Sequence, residues 1–294
     1  MVEDSFLKRF LLVLFCVGCF PFLAKADRSE FWRYAGGRPE FVGGKGCALP
    51  KTEELRYLQR KGYDVCFSPR LQVCVWVAYS LTPTDVSNQV GRVGSFRRDD
   101  DLAEAATDPK SYSGSGFDRG HMAPSQDMQY DIEVSRQSFW MGNITPQTPR
   151  LNRGEWKRLE GLIHRKVVAN DKGEVAARRV YVLTGPIFTK EALDDFDRAQ
   201  KEWKKQGGSD SGEPSPMFQP RMFWKIFKCG VVVEAVVMEQ TTPKDSGPSG
   251  VSVKSVSVAE ISKLTGLSFF GGMSEELRGF YLNTCRPKYG AKWE

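Results

Sequence analysis

Apolar residues recur along this chain with two different periods, and the changes of period mark out its elements. Residues 65–67 and 71–81 are apolar, β-branched or aromatic, and Ser68-Pro69-Arg70 separates them, so a hairpin is expected. Val73, Val75, Val77 and Tyr79 share one parity and should form one face of its second strand. Residues 151–169 read as a helix, because Trp156, Leu159, Leu162, Ile163 and Val167 recur at helical spacing. Further strands are expected at 179–183, ending at Gly185-Pro186, and at 222–229 and 231–238. A short aromatic strand is expected at 138–143 and a helix at 258–264. Brief helices are expected at 52–60 and 100–106, within otherwise irregular polar stretches. Residues 190–217 are charged, then rich in Gly, Ser and Pro, and read as a surface insertion or flexible loop. Strands and helices do not alternate regularly. That favours an α+β fold, a central antiparallel sheet flanked by helices, over a doubly wound parallel sheet. The expected division is an extension over 27–62 and one domain over 63–294, with the insertion near 190–219.

The first 26 residues change the picture at one end. Lys8 and Arg9 precede an apolar run over 10–23, and Ala24-Lys25-Ala26 supplies small residues for a signal peptidase. A secretory signal over 1–26 is expected, with a mature chain that starts near Asp27 and is secreted or periplasmic. The apolar run falls short of the roughly 20 residues of a membrane span. No integral membrane association is therefore expected after cleavage; an uncleaved signal anchor is the alternative. Mean hydropathy is −0.40, as for a chain whose bulk is water-soluble.

Cysteine and charge add two constraints. Cys47, Cys66, Cys74, Cys229 and Cys285 remain after cleavage. The odd number leaves at least one thiol free or paired outside the chain, while export favours at least one disulfide. Cys66 with Cys74 across the hairpin, and Cys229 with Cys285, are the candidate pairs. No Cys-x-x-Cys remains and the chain has 2 His, which disfavours a zinc site. The formal net charge is +6, mildly basic, which suits a polyanionic partner without demonstrating one. Arg92, Arg97, Arg98, Arg119, Arg136, Arg150, Arg153, Lys157 and Arg158 crowd one region, either as solvated surface or as a footing for that partner.

Candidate chemistry lies in the same region. Asp118-Arg119-Gly120-His121-Met122-Ala123-Pro124 places a histidine beside an arginine and an aspartate, just after Ser113-Gly114-Ser115-Gly116. Imidazole takes a proton from water near neutral pH, and guanidinium matches phosphate. The pair points to phosphodiester hydrolysis. Downstream, Asn143, Gln147, Asn152 and Glu160 offer oxygens, the donor type that Mg²⁺ takes. Plainer readings stay open. Asn152, with Glu155 three residues later, has the outline of a capping box. Along a continuous helix Glu160 would lie about 12 Å from Asn152, at ~1.5 Å per residue, which favours contact through water over shared ligation. His121 equally reads as a structural histidine, His164 as a packed one, and Asp118 with Arg119 as an ion pair in a turn.

Asp118-Arg119-Gly120-His121 followed by Ala123-Pro124 resembles the signature of the DNA/RNA non-specific endonucleases. That family includes secreted bacterial nucleases and mitochondrial endonuclease G, and has a ββα-metal (His-Me finger) active site. Asn143-Ile144-Thr145-Pro146-Gln147, then Leu151-Asn152 with Trp156 and Leu159-Glu160, is similar to the family's next block in order and spacing. Phe96-Arg97 with Asp99-Asp100 resembles its upstream arginine segment. Gly185-Pro186-Ile187 and Pro220 with Phe223-Trp224-Lys225 resemble later core strands. The resemblance spans roughly residues 63–285.

The resemblance implies roles. His121 is the general base, and Arg119 contacts or stabilises the phosphate. Asn152 is the single protein ligand of Mg²⁺, for which Mn²⁺ can substitute, and Glu160 is the carboxylate that holds metal-bound waters. Arg97 is the upstream phosphate-binding arginine, Asn143 and Gln147 are polar site residues, and Asp118 and Gly120 are structural members of the motif. A further family arginine, one turn after the glutamate, falls on His164, with Arg165 next to it: a departure that touches phosphate binding. The implied reaction is hydrolysis of DNA and RNA with little sequence specificity, leaving 5′-phosphates, because such a site reads backbone rather than base edges. Homodimers are common in the family. The alternative is a non-catalytic nucleic-acid-binding or surface interaction protein on a nuclease-like scaffold; retention of His121, Asn152 and Glu160 together speaks against it. A narrower phosphodiesterase acting on nucleotides is a third reading.

Overall fold

A computed structural model describes residues 32, 35, 37–43, 47–102, 106–168, 179–208, 215–229, 232–241 and 251–283. The expected signal segment 1–26 and Cys285 lie outside them. The strands are β1 (Glu40–Phe41), β2 (Arg56–Gln59), β3 (Tyr63–Ser68), β4 (Val73–Leu81), β5 (Asp118–His121), β6 (Ile144–Gln147), β7 (Val180–Ile187), β8 (Met222–Cys229), β9 (Val232–Gln240), β10 (Val251–Ser255) and β11 (Leu267–Ser268). The helices are α1 (Pro83–Ser87), α2 (Ile132–Ser138), α3 (Lys157–Val168), α4 (Lys190–Lys205), α5 (Val258–Thr265) and α6 (Glu275–Asn283).

Seven strands form an antiparallel sheet in the order β10-β9-β8-β7-β4-β3-β2. Its strands alternate residues between two apolar layers. Val75, Trp76, Leu183 and Trp224 pack with Phe196 of α4 and Ile261 of α5 on one face. Val65, Val77, Val182 and Phe223 pack with Val134 of α2 and Leu159 and Ile163 of α3 on the other. Burial of each large side chain contributes about 1.5–3 kcal/mol, so both helix layers are tied to the sheet. The second layer carries the site: the β5–β6 ribbon and α3 stand on it as a ββα unit. The fold is the expected α+β arrangement, a central antiparallel sheet flanked by helices.

Several local expectations are corrected. Residues 52–60 hold strand β2, because Arg56–Gln59 completes the sheet edge against β3. Within 27–62, β2 thus joins the main sheet and β1 pairs with β11. In β4 the shared parity breaks. Cys66 faces Trp76 and Phe67 faces Cys74, so Val75 is an extra residue, a bulge. Val73 and Val75 therefore face one layer, and Val77 and Tyr79 the other. That bulge also overturns the hairpin disulfide. Cys66 joins one core layer and Cys74 the other, and Cys47, Cys66, Cys74 and Cys229 are all free. Residues 138–143 form no strand; α2 ends at Ser138 and a 3-10 turn spans Met141–Asn143. Asp100 to Leu102 is a turn rather than the start of a helix, and 103–105 lie outside the described residues.

The reading of 190–217 as insertion or loop fails for its first half. Lys190–Lys205 is a helix capped by the Thr189 hydroxyl, with Ala192, Leu193 and Phe196 buried on one face. Its many charges sit on the other face, some as i,i+3 and i,i+4 pairs such as Lys190–Asp194 and Arg198–Asp195. The helix expected at 151–169 begins later than its pattern suggests. A π-helical segment covers Leu151–Trp156, with Gly154 outside helical geometry at φ −103 and ψ −109, and the regular helix α3 starts at Lys157. Among the described residues no helix is long and apolar enough to cross a membrane.

Candidate active site

Strand β5 pairs with β6 so that Asp118 faces Gln147 and His121 faces Ile144. The two strands are joined by 122–143, which includes α2, and the join is stapled by Asn143. Its Oδ1 accepts from the Ala123 backbone N–H at 2.8 Å, and its Nδ2 donates to the Ala123 and Ser138 carbonyls. Asn143 is fully buried, so its amide is consumed in holding the turn after His121. Gln147 is also fully buried, and both its side-chain polar atoms lack a hydrogen-bond partner. It explains the glycine of the motif: a Cβ on Gly120 would lie 2.3 Å from Gln147 Oε1. Neither Asn143 nor Gln147 lines the cleft.

The cleft, of about 740 Å³, is lined by Arg92, Phe96, Tyr112, Arg119, His121, Asn152, Arg153, Lys157 and Glu160 among others. His121 is wedged between aromatic rings, with centroids 5.3 Å from Phe96 and 5.1 Å from Phe139. Its backbone carbonyl accepts from the Trp156 indole at 3.2 Å, and its Nε2 is buried without a hydrogen-bond partner. Burial foremost, and the Arg92 charge second, push the imidazole down to about 3. The ring is therefore neutral around pH 7, the form that accepts a proton. A stability consequence follows. The neutral ring's contribution is complete above the unfolded value of about 6.5, and is lost as pH falls towards the folded value of about 3. His121→Gln, which cannot charge, is expected to lose less stability than the parent between about pH 7 and about pH 4. Urea midpoints at both pH values measure this; equal losses would remove the claim of a neutral buried ring.

Asn152 sits at the start of the π-helical segment and does not cap it; no side-chain cap bond forms there. The capping-box reading is thereby corrected. Its Nδ2 instead donates to Asp118 Oδ2 at 2.9 Å. A carboxylate only accepts, so the amide nitrogen must face Asp118, and the carbonyl oxygen is left to offer its lone pairs to the cleft. Asp118 is held in turn by Arg153, whose Nε and Nη2 reach its two oxygens at 2.8 and 2.6 Å. Burial opposes its charge, but the bonds from Arg153 and Asn152 prevail and hold its carboxyl below the usual range. The Gly154 kink removes the straight helix assumed between Asn152 and Glu160, and both line one cleft.

Glu160 Oε1 is buried without a hydrogen-bond partner. Lys225 Nζ lies 3.8 Å away. Burial pushes the Glu160 carboxyl above the usual carboxylate range, with Lys225 opposing. Behind it, His164 Nδ1 bonds Asp127 Oδ1 at 2.9 Å, and Asp127 Oδ2 accepts from Tyr79 at 3.3 Å. His164 is thus tied into the scaffold and does not line the cleft.

The arginines divide. Arg119 reaches the cleft with Nε and Nη2 anchored on the Pro109 carbonyl, at 3.2 and 2.8 Å, and its guanidinium over Phe96. Arg97 does not line it; it pairs with Asp100 and lies over Trp140. Asp99 is buried against Arg60 at 2.5 Å. The upstream cation that lines the cleft is Arg92, 4.5 Å over Phe139. Sequence reading placed Arg92 only within the basic crowd; the short spacing to Phe96 was its sole signal. Arg98, Arg136 and Arg158 are paired with Asp108, Glu133 and Glu155; of the basic crowd, Arg92, Arg119, Lys157 and the Asp118-paired Arg153 line the cleft.

Comparison with known proteins places this geometry. The family described as DNA/RNA non-specific endonuclease matches residues 45–276. Mitochondrial endonuclease G of Bos taurus is 32% identical over 157 residues, 52% of this chain and 48% of that protein, so the match spans about half of it. A nuclease of a Nostoc species is 27% identical over 283 residues, 91% of this chain and 93% of its own length. A nuclease of Serratia marcescens is 28% identical over 229 residues, 74% and 76%. A chain of the solved EndoG/EndoGI complex superposes with a TM-score of 0.60 at 21% identity, covering 87% of this chain and 96% of that one, and so shares the fold. This chain belongs to the DNA/RNA non-specific endonuclease family.

Proposed function

We propose that the protein is a metal-dependent endonuclease that hydrolyses phosphodiester bonds of DNA and RNA with little sequence preference, leaving 5′-phosphates. The observation that carries the reading is a neutral His121 with an unpartnered Nε2 in the same cleft as the Asn152 carbonyl and four cations. The donor set fits a hard cation: one amide oxygen, plus a buried carboxylate oxygen without a partner. Among the described residues no group of three or more His, Cys, Asp or Glu is gathered, whereas Mg²⁺ keeps several waters and needs few protein groups. Asn152 directly, and Glu160 through intervening water, would hold Mg²⁺ or Mn²⁺. Bound there, the ion would neutralise phosphate charge and stabilise the departing oxygen.

The chain's own groups do the rest. His121 Nε2 takes the proton of the attacking water. A bound phosphodiester's negative charge favours the imidazolium, which lifts the ring's proton affinity towards that of a working base. Arg119 and Arg92 offset charge on the non-bridging oxygens. Asp118 keeps the Asn152 carbonyl turned to the cleft. Arg153 and Lys157 extend the positive surface along a strand, which gives affinity for backbone rather than bases. Export through the N-terminal segment, and a homodimer, belong to the same proposal.

Supercoiled plasmid and single-stranded RNA, each incubated with the chain from residue 27 in Mg²⁺ or in EDTA, test it. Loss of both substrates in Mg²⁺ alone is expected. Intact substrates across divalent ions, with binding retained in a shift assay, would favour the non-catalytic scaffold instead.

A further inference from the structure

Lys225 is 0% exposed and its Nζ has no hydrogen-bond partner. An ammonium in that setting is costly unless neighbouring charge or an aromatic face compensates it. Two neighbours do. Glu160 Oε1 lies 3.8 Å from Nζ, and the Trp156 ring centroid lies 4.3 Å from it. Trp156 in turn donates its indole N–H to the His121 carbonyl. The lysine rises from a rigid base: in β8 it pairs with Thr184 of β7 on one side and Val236 of β9 on the other. A single cation built into the sheet therefore touches the supports of both halves of the cleft.

We propose that Lys225 is a positioning residue: its ammonium holds the Glu160 carboxylate at the cleft and braces the Trp156 ring that anchors His121. The proposal rests on the nuclease reading for its catalytic part and on geometry for the pairing. Lys225 Nζ and Glu160 Oε1, each buried without a hydrogen-bond partner, face one another at 3.8 Å, so each supplies the other's compensating charge. No substrate contact is assigned to Lys225, which does not line the cleft.

A double-mutant cycle tests it, with Lys225→Met, Glu160→Gln and the double variant. Methionine keeps length and most of the volume and removes the charge. Lys225→Met alone is expected to lower kcat by about tenfold or more with KM for DNA within about threefold, a loss confined to the reacting centre. In the Glu160→Gln background the same exchange is expected to cost less than about threefold, because its main route, the Glu160 charge, is gone and only the Trp156 brace remains. An equal loss in both backgrounds would show that the Glu160 pairing carries none of the effect and overturn the proposal. Urea midpoints are read on the same four proteins. The double variant removes both charges together, so it should be less destabilised than the single effects imply; additive midpoints would overturn the pairing itself. If the parent chain cleaves neither plasmid nor RNA, the nuclease reading fails and takes the catalytic role of Lys225 with it, while the stability cycle still decides the pairing.

Discussion

His121→Ala is expected to lower the rate of phosphodiester hydrolysis by about 10²–10⁴-fold, the usual contribution of a positioned general base, while nucleic-acid binding stays within a few-fold of the parent. The two halves of that expectation have separate causes. The rate falls because Nε2 is the buried, unpartnered proton acceptor in the cleft, and alanine offers water no base. Binding survives because the ring is neutral, so its removal takes no positive charge from the surface a phosphate backbone meets. That surface belongs to Arg92, Arg119, Arg153 and Lys157. Initial rates on plasmid, with filter binding to an uncleaved duplex in EDTA, measure the two halves. A variant that retains a rate within about tenfold of the parent would remove His121 from the reaction. One that no longer binds would mean that His121 shapes the cleft through Phe96 and Phe139 rather than serving as its base.

Much of this architecture was readable in the residues, and the misses share a physical origin. Strands β3, β4, β7, β8 and β9 and helix α5 announced themselves by apolar content; the ββα unit was implied only by the motif's resemblance to the non-specific endonucleases. What failed were the places where tertiary contacts override local pattern. Asn152 and Glu155 have the spacing of a capping box, yet the amide is claimed by Asp118, 34 residues away in sequence. Asn143 looked like a site residue because it is polar and close to the motif; burial and three hydrogen bonds to backbone groups make it a staple. Arg97 and Arg92 are five positions apart in an irregular segment. Only the ion pair with Asp100 shows that Arg97 is engaged elsewhere. The β4 bulge is a single extra residue, Val75, that alternation alone does not reveal. Helix α4 was obscured because its apolar stripe is narrow and its other face densely charged. Lys225 looked like one more position in a strand, and burial beside Glu160 gave it a role.

Asn152→Ala should reduce activity at a fixed Mg²⁺ concentration by more than the about 10–100-fold typical of losing a partner that merely orients a ligand, because it removes the amide oxygen itself. Asp118→Asn is the graded companion. Its side chain is no longer acceptor-only, so it can offer a nitrogen to Asn152, and the Asn152 amide then has no fixed reason to keep its oxygen towards the cleft. About 10–100-fold weaker Mg²⁺ dependence is expected, with most of the rate recovered at saturating ion. Arg153→Gln separates the two functions of that cluster. It leaves the Asn152–Asp118 bond at 2.9 Å in place, so the Mg²⁺ midpoint should hold, while one exposed cation is lost and the salt dependence of DNA binding becomes shallower by about one unit of slope. Rates and calorimetric Mg²⁺ titrations on the three variants decide the matter. A Mg²⁺ midpoint unchanged in Asp118→Asn would mean that Asp118 serves only to hold Arg153. A midpoint unchanged in Asn152→Ala would move the ion to other oxygens of the cleft, with Glu160 the first to test.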